Sequence, residues 1–85
     1  MNQGKVTITD VATKILSADM NRRSFWIMNT GLKKVYIGYS SAATTDNPYL
    51  SPTGSFDREL ARDYRGNLYG ICATGESSTI SYVDF

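Results

Sequence analysis

Apolar side chains recur along the chain in short runs separated, about every ten residues, by turn-forming residues, a spacing typical of an all-β sandwich or barrel. The run KVTIT (5–9) alternates Val6 and Ile8 with polar neighbours, which predicts a half-buried strand. The run DVATKILSA (10–18) suits either a helical turn or a short strand, and we favour the strand.

The densest apolar stretch contains two such runs on either side of a glycine. SFWIMN (24–29) and KVYIGYS (34–40) are rich in aromatic and β-branched residues, which favour strands. The tripeptide NTG (29–31) lies between them, and its glycine tolerates positive φ, so we expect a β-hairpin here. Alternation in the second run predicts that Tyr36 faces outward. The side chains expected to face the core are Val35, Ile37 and Tyr39.

The middle of the chain combines a loop with a charged segment. Residues 40–54 are small and polar and contain both prolines, so we expect a loop with Tyr49 and Leu50 folded back onto the domain. Residues 55–60 carry mixed charges, which suits an exposed edge strand. A short helix over residues 57–63 is the alternative.

Two further strand patterns, LYGICATG (68–75) and TISYVDF (79–85), end the chain, and the turn at 75–78 predicts a hairpin between them. Together the patterns predict one all-β domain over residues 1–85, either a compact antiparallel β-sandwich or a jelly-roll-like barrel. Residues 1–12 form either an edge strand or an N-terminal arm that pairs with a neighbouring molecule.

The aromatic content is high for so short a chain, since six Tyr, three Phe and one Trp occur in 85 residues. A domain of this size hides about 60 to 65% of the surface that its unfolded chain exposes. Its interior is too small to enclose all of these rings. Some of them should therefore lie on a surface that binds a partner.

Charge and cysteine content narrow the choice of partners and location. Nine basic and eight acidic residues give a formal net charge of +1, too little for the phosphate neutralisation that drives nucleic-acid binding. The single cysteine, Cys72, has no partner for an intrachain disulfide and is expected as a buried thiol in a strand. Neither a signal-peptide core nor a membrane-spanning stretch of roughly 20 apolar residues occurs. We expect a protein made in a reducing cytoplasm that binds neither nucleic acid nor membrane.

Residue types that support catalysis or metal binding are scarce. The chain has no histidine, and no serine lies in a nucleophile-elbow pattern. Asp57, Glu59 and Asp63 lie among arginines and indicate a solvated charged face. One thiol without histidine makes a poor zinc site, and the loop around Asp46 lacks the carboxylates of a calcium site. We expect no enzymatic activity, no metal and no cofactor.

A pair of arginines precedes an aromatic pair, a combination also found on surfaces that bind single-stranded nucleic acid. For Arg22 and Arg23 we favour surface charge with one guanidinium stacked on a ring. For Trp26 we favour packing in the core. Stacking of a sugar on Trp26, Tyr36 or Tyr49 is the functional alternative.

Four segments, KILSADMNRRSFWIMNTG, VYIGYS, NPYLSPTGSF and YRGNLYGICATGESSTISYVDF, follow a recognisable order. An Asn-Arg-x-Ser segment leads into a strand x-I-x-N-x-G, a V-Y-I-G strand follows, and a Pro-x-Gly-x-Ser turn and a G-x-L/I-Y-x-I strand come later. In this order the chain from Thr13 onward resembles a type of small phage virion domain. The matching positions are Asn21, Arg23, Ser24, Ile27, Asn29, Gly31, Val35, Tyr36, Ile37, Gly38, Pro52, Gly54, Ser55, Gly66, Tyr69 and Ile71.

The resemblance implies a phage structural protein on the capsid surface of the virion: a decoration, or cement, protein that binds the major capsid protein lattice as a homotrimer and stabilises it. An alternative is a tail- or head-fibre-associated module that recognises host-surface glycans. A third hypothesis, outside virions, is a ligand-binding β-barrel with nucleic-acid affinity. Candidate partner-binding residues are bulky or cationic groups near predicted turns or on predicted outer faces. They are Arg22, Arg23, Tyr36, Tyr49 and Tyr64.

Overall fold

A computed structural model describes residues 2–52 and 59–85 of the chain, apart from the side chains of residues 2 and 62. These residues form eight strands and, within those two ranges, no helix. The strands are β1 (Asn2–Ile8), β2 (Thr13–Leu16), β3 (Phe25–Asn29), β4 (Val35–Gly38), β5 (Tyr49–Leu50), β6 (Glu59–Arg62), β7 (Leu68–Ile71) and β8 (Ser78–Asp84).

The strands form two antiparallel sheets of four strands each. Sheet A has the order β1-β8-β3-β6, and sheet B has the order β2-β7-β4-β5. The inner faces of both sheets contribute to one hydrophobic core. The predicted all-β sandwich is therefore confirmed.

The strand pairing follows the topology of a jelly roll. β1 pairs with β8, β2 with β7, β3 with β6 and β4 with β5, as if the chain were one long hairpin folded at its middle. Rolling this hairpin up brings β3 beside β8 and β4 beside β7. The result is the eight-stranded, double-sheet arrangement of a jelly roll, which is the more specific of the two architectures predicted from the sequence.

Two predicted hairpins are wrong. β3 and β4 lie in different sheets, so residues 30–34 cross from one sheet to the other, and β7 and β8 are separated in the same way. Gly31 does not have a positive φ; among the described residues, Gly75 does, at 78°. A Cβ on Gly31 would lie 2.7 Å from the backbone nitrogen of Thr79, so the close approach of two backbones requires this glycine.

The buried side chain of Asn29 holds the crossing in place. Its amide nitrogen donates to the carbonyls of Lys33, at 2.7 Å, and Leu50, at 3.1 Å. Its oxygen accepts from the Gly31 backbone N–H, at 3.0 Å, and from the Ser78 hydroxyl, at 2.8 Å. These bonds join β3, the crossing segment, β5 and β8, and thus connect the two sheets.

Apolar residues from both sheets fill the space between them. The prediction that Tyr39 faces this core is wrong, because Tyr39 lies beyond the end of β4 and is 53% exposed. Gly70 is buried, and a Cβ there would lie 3.0 Å from side-chain atoms of Ile15 and Val35, so its lack of a side chain lets the sheets approach. The core comprises Ile8, Ile15, Leu16, Phe25, Ile27, Val35, Ile37, Leu50, Leu68, Cys72 and Ile80.

The remaining strand predictions hold in part. The N-terminal residues form an edge strand, β1, paired with β8 over its full length, rather than a free arm. The predicted loop over 40–54 contains β5; Leu50 folds back into the core as expected, whereas Tyr49 stays exposed, and residues 53–54 lie outside the described residues. β6 is an edge strand, as predicted for this region, so the helical alternative is wrong at 59–62. Residues 55–58 of that prediction lie outside the described residues.

The cysteine is a buried thiol, as predicted, but Cys72 lies one residue beyond the end of β7 and not in a strand. The Cys72 Sγ lies 3.5 Å from the carbonyl oxygen of Ile8, and its backbone N–H donates to Thr9. Burial, and then the negative charge of Glu76, raise the pKa of this thiol. The protonated, unreactive form is therefore favoured in the folded protein.

We expect Asn29→Ala to lower the free energy of unfolding by about 3 kcal/mol, because it leaves buried donors and acceptors in both sheets without partners. Urea unfolding monitored by tryptophan fluorescence measures the change. The control is Thr30→Ala, at the adjacent exposed position, where we expect a change within about 0.5 kcal/mol. Equal effects of the two substitutions would contradict the structural role of Asn29.

Candidate functional site

Two predicted contact residues, Tyr36 and Tyr49, meet on the outer face of sheet B. Alternation along β4 turns Val35 and Ile37 inward and Tyr36 outward, and β4–β5 pairing places Tyr36 directly opposite Tyr49. Their ring centroids are 5.5 Å apart with an interplanar angle of 64°, an edge-to-face contact. Tyr36 is half-buried, and Tyr49 is 43% exposed. The pair is therefore accessible to a partner.

Lysines complete this surface, which we call the tyrosine face and define as Lys14, Lys34, Tyr36, Tyr49 and Tyr69. The Lys34 Nζ lies 4.5 Å from the Tyr49 ring centroid, and the Lys14 Nζ lies 6.0 Å from that of Tyr69. The first separation suits cation–π attraction, and the second lies at its outer limit. The tyrosine face thus combines flat aromatic surface with positive charge, which suits a partner that presents apolar and acidic groups.

For two of the three additional members of the tyrosine face, Lys34 and Tyr69, a signal was present in the sequence. Lys34 lies two positions before Tyr36 and is therefore expected on the same outward side. Tyr69 alternates with the buried Leu68 and Gly70, which also predicts an outward side chain. What the sequence did not show is that β4 and β7 are neighbours, which places Tyr69 opposite Gly38 on the same face.

The outer face of sheet A carries a second exposed surface. Trp26 was expected in the core, which is wrong: β3 turns Phe25 and Ile27 inward and leaves Trp26 half-buried on the outer side. Trp26 lines a shallow depression together with Phe85, Asp63 and Ala61. We call this surface the apolar face and define it as Trp26, Met28, Ala61, Val83 and Phe85.

Arg22, chosen as a surface contact, is 2% exposed, so the expectation that it lies at the surface is wrong. Its Nε, Nη1 and Nη2 donate to the carbonyls of Tyr64, Ser17 and Gly66 at 3.0, 3.0 and 2.8 Å. An Asp84 carboxylate oxygen lies 3.9 Å away. The guanidinium fork matches this ring of acceptors, which explains how a cation is accommodated in the interior.

The stacked guanidinium that we favoured at this arginine pair is only partly present. The Cζ of Arg22 lies 6.0 Å from the Phe25 ring centroid, at the outer limit of such contacts. Arg23 is exposed, as expected, and its backbone N–H donates to the carbonyl of Phe85. Arg23 therefore lies near the apolar face rather than the tyrosine face.

Tyr64 also serves the interior rather than the tyrosine face. Its hydroxyl donates to the carbonyl of Asn67 at 3.1 Å, and its ring makes edge contacts with Tyr39 and Phe25 at centroid distances of 4.9 and 6.4 Å. It is half-buried. Of the five predicted contact residues, the structure thus brings together Tyr36 and Tyr49 and places the other three elsewhere.

Comparison with known proteins gives no identification: no protein-family model matches the chain, and neither the curated proteins nor the solved structures include a significant match. Among residues 2–52 and 59–85, no three His, Cys, Asp or Glu side chains cluster in a way that suits a metal ion. The same residues contain no helix long and apolar enough to span a membrane.

We expect Arg22→Met to lower the free energy of unfolding by about 3 kcal/mol or more, because three carbonyls lose the buried guanidinium that donates to them and Asp84 loses its neighbouring cation. Arg23→Met is the matched control, and we expect a change within about 0.5 kcal/mol. Chemical denaturation of both variants gives the comparison. A larger loss for Arg23→Met would show that the interior role is wrongly assigned.

Proposed function

We propose that this chain is a non-enzymatic phage structural protein, a decoration protein that binds the outer surface of the major capsid protein lattice and stabilises it. The observation that carries the proposal is the Tyr36–Tyr49 pair with Lys34 beside it, on a sheet face that takes no part in the core. The proposed location is the capsid surface of the virion, after synthesis in the host cytoplasm.

Two further lines support this proposal. The sequence resembles small phage virion domains from Thr13 onward, and the jelly roll is an architecture that viral capsid and lectin domains use. The second point is an analogy at the level of the fold, and folds host many functions. The tyrosine face supplies the specific argument, because tyrosine is one of the residue types that dominate binding at protein interfaces.

The remaining parts of the proposal concern activity and partners. Tyrosines that pack against one another and against lysines adhere to a surface without covalent chemistry, so we propose no enzymatic activity and no cofactor. The proposed partner is the major capsid protein, and neither nucleic acid nor membrane. The homotrimer implied by the resemblance stays a prediction, and it competes with the two-fold dimer proposed below; the mass in solution decides between them.

Binding of the purified protein to undecorated capsids tests this function. We expect saturable binding at micromolar concentration and a rise in the temperature at which capsids disassemble, because bound protein stabilises the lattice to which it binds. Tyr49→Ala should weaken binding about tenfold or more. Phe85→Ala is the matched control, since its ring is 51% exposed on the opposite sheet, and should bind as the unmodified protein does. Absence of binding at micromolar concentration would refute the proposal.

The second candidate function is adhesion to host-surface glycans by a tail- or head-fibre-associated module. An exposed tyrosine ring such as Tyr49 offers a face on which a sugar can stack, and Lys34 beside it offers a hydrogen-bond donor. A glycan array separates the two functions. A sugar-specific signal that Tyr36→Ala and Tyr49→Ala both abolish supports the glycan function, whereas a decoration protein should give no such signal.

A further inference from the structure

The apolar face of sheet A lies on the side of the molecule opposite the tyrosine face. Its two central strands, β8 and β3, direct Thr79, Ser81, Val83, Trp26 and Met28 outward. Among the described residues, these two strands place no charged side chain on that face. A continuous uncharged strip therefore runs along the middle of the sheet, with its most apolar part at the Phe85 end.

The two edge strands frame this strip with opposite charges. β1 directs Lys5 outward at one edge, and β6 directs Glu59 outward at the other, followed on the same side by Asp63. Lys5 and Glu59 lie in the same transverse row, because Lys5 pairs with Ser81, Ser81 with Met28, and Met28 with Glu59. One edge of the face is thus basic and the other is acidic.

Neither Lys5 nor Glu59 forms an ion pair within the described part of the chain. The ion pairs among residues 2–52 and 59–85 are Arg22–Asp84 and Lys33–Glu76, and neither Lys5 nor Glu59 takes part in one. Both side chains are exposed. They are therefore available to a partner that presents the opposite charge at each edge.

A second copy of this chain is such a partner, and we propose that two copies associate face to face through their apolar faces about a two-fold axis parallel to the strands. Rotation about that axis exchanges the two edges of the sheet. Lys5 of one copy then faces Glu59 of the partner subunit, and the reciprocal pair forms at the other edge. Self-complementarity of this kind is what an isologous interface requires.

The dimensions of the face set the expected strength. Four strands about 4.8 Å apart and seven residues at about 3.4 Å each cover roughly 19 by 24 Å, or about 450 Å² on each copy. A buried total of about 900 Å² is below the range of stable complexes. We therefore expect a dimer that dissociates in the micromolar to millimolar range.

The opposite charges at the two edges distinguish between the partners that could bind the apolar face. A uniformly acidic or basic partner would be attracted at one edge and repelled at the other, whereas a second copy gains at both edges. Stacked sheet faces lie about 10 Å apart, a gap that Lys and Glu side chains can close from opposite sides. The tyrosine faces of both copies remain outward and free for the proposed capsid contact.

Charge reversal tests the pairing in the absence of any capsid. Sedimentation equilibrium of the purified chain, from about 10 µM to 1 mM, gives its dimer dissociation constant. Lys5→Glu and Glu59→Lys should each weaken the dimer about tenfold or more, because each puts like charges opposite one another at both edges. The double variant restores both pairs with reversed polarity and should regain the original constant within about threefold.

Three further variants control this experiment. Val83→Lys, on a central strand between the uncharged Gln3 and Trp26, should abolish association, since it buries an unpaired charge. Lys14→Glu, on the tyrosine face, should leave the dissociation constant unchanged. Circular dichroism and thermal unfolding check that each variant is folded. A monomer at 1 mM, a trimer, or a double variant as weak as its parents would each overturn the proposal, and none of these results bears on binding to capsids through the tyrosine face.

Discussion

The structure depends on a buried amide that joins the two sheets where the chain passes from one to the other. Asn29 ends β3 and is hydrogen bonded to the crossing segment, to β5 and to β8. A buried polar group must find its partners within the protein, so these bonds are specific as well as stabilising. They hold the chain across the sandwich at the point where its local pattern favours a hairpin, and this crossing is one of those that make up the jelly-roll order.

Burial of one face of each sheet determines what is left for binding. The core takes the inward residues of all the longer strands, and Arg22 uses its guanidinium to satisfy carbonyls at one end of the sandwich. Five aromatic rings that find no place there lie on the outer faces: Trp26, Tyr36, Tyr49, Tyr69 and Phe85. One face combines tyrosines with lysines, and the other combines an apolar strip with edges of opposite charge. The two faces therefore suit two different partners, the capsid and a second copy in our proposals.

The predictions that succeeded rest on local alternation, and those that failed depend on distant residues. The outward position of Tyr36 follows from its neighbours along β4, whereas its contact with Tyr49 required the pairing of β4 with a two-residue strand inside a predicted loop. Arg22 is hydrophilic, yet three carbonyls, two of them from the distant residues Tyr64 and Gly66, make its burial favourable. Trp26 is apolar, yet side chains alternate between the two sides of β3, so Phe25 and Ile27 point inward and Trp26 points outward.

The sequence by itself determined the all-β class, the positions of most strands and the inner and outer sides of β4, because a side-chain period of two is a property of each strand alone. The tertiary structure decided which strands are neighbours, the interior position of Arg22 and the make-up of both outer faces. Pairing partners in a jelly roll are far apart in the chain, as β1 and β8 show. Their choice depends on the total burial and hydrogen bonding of the folded molecule, which no local pattern contains.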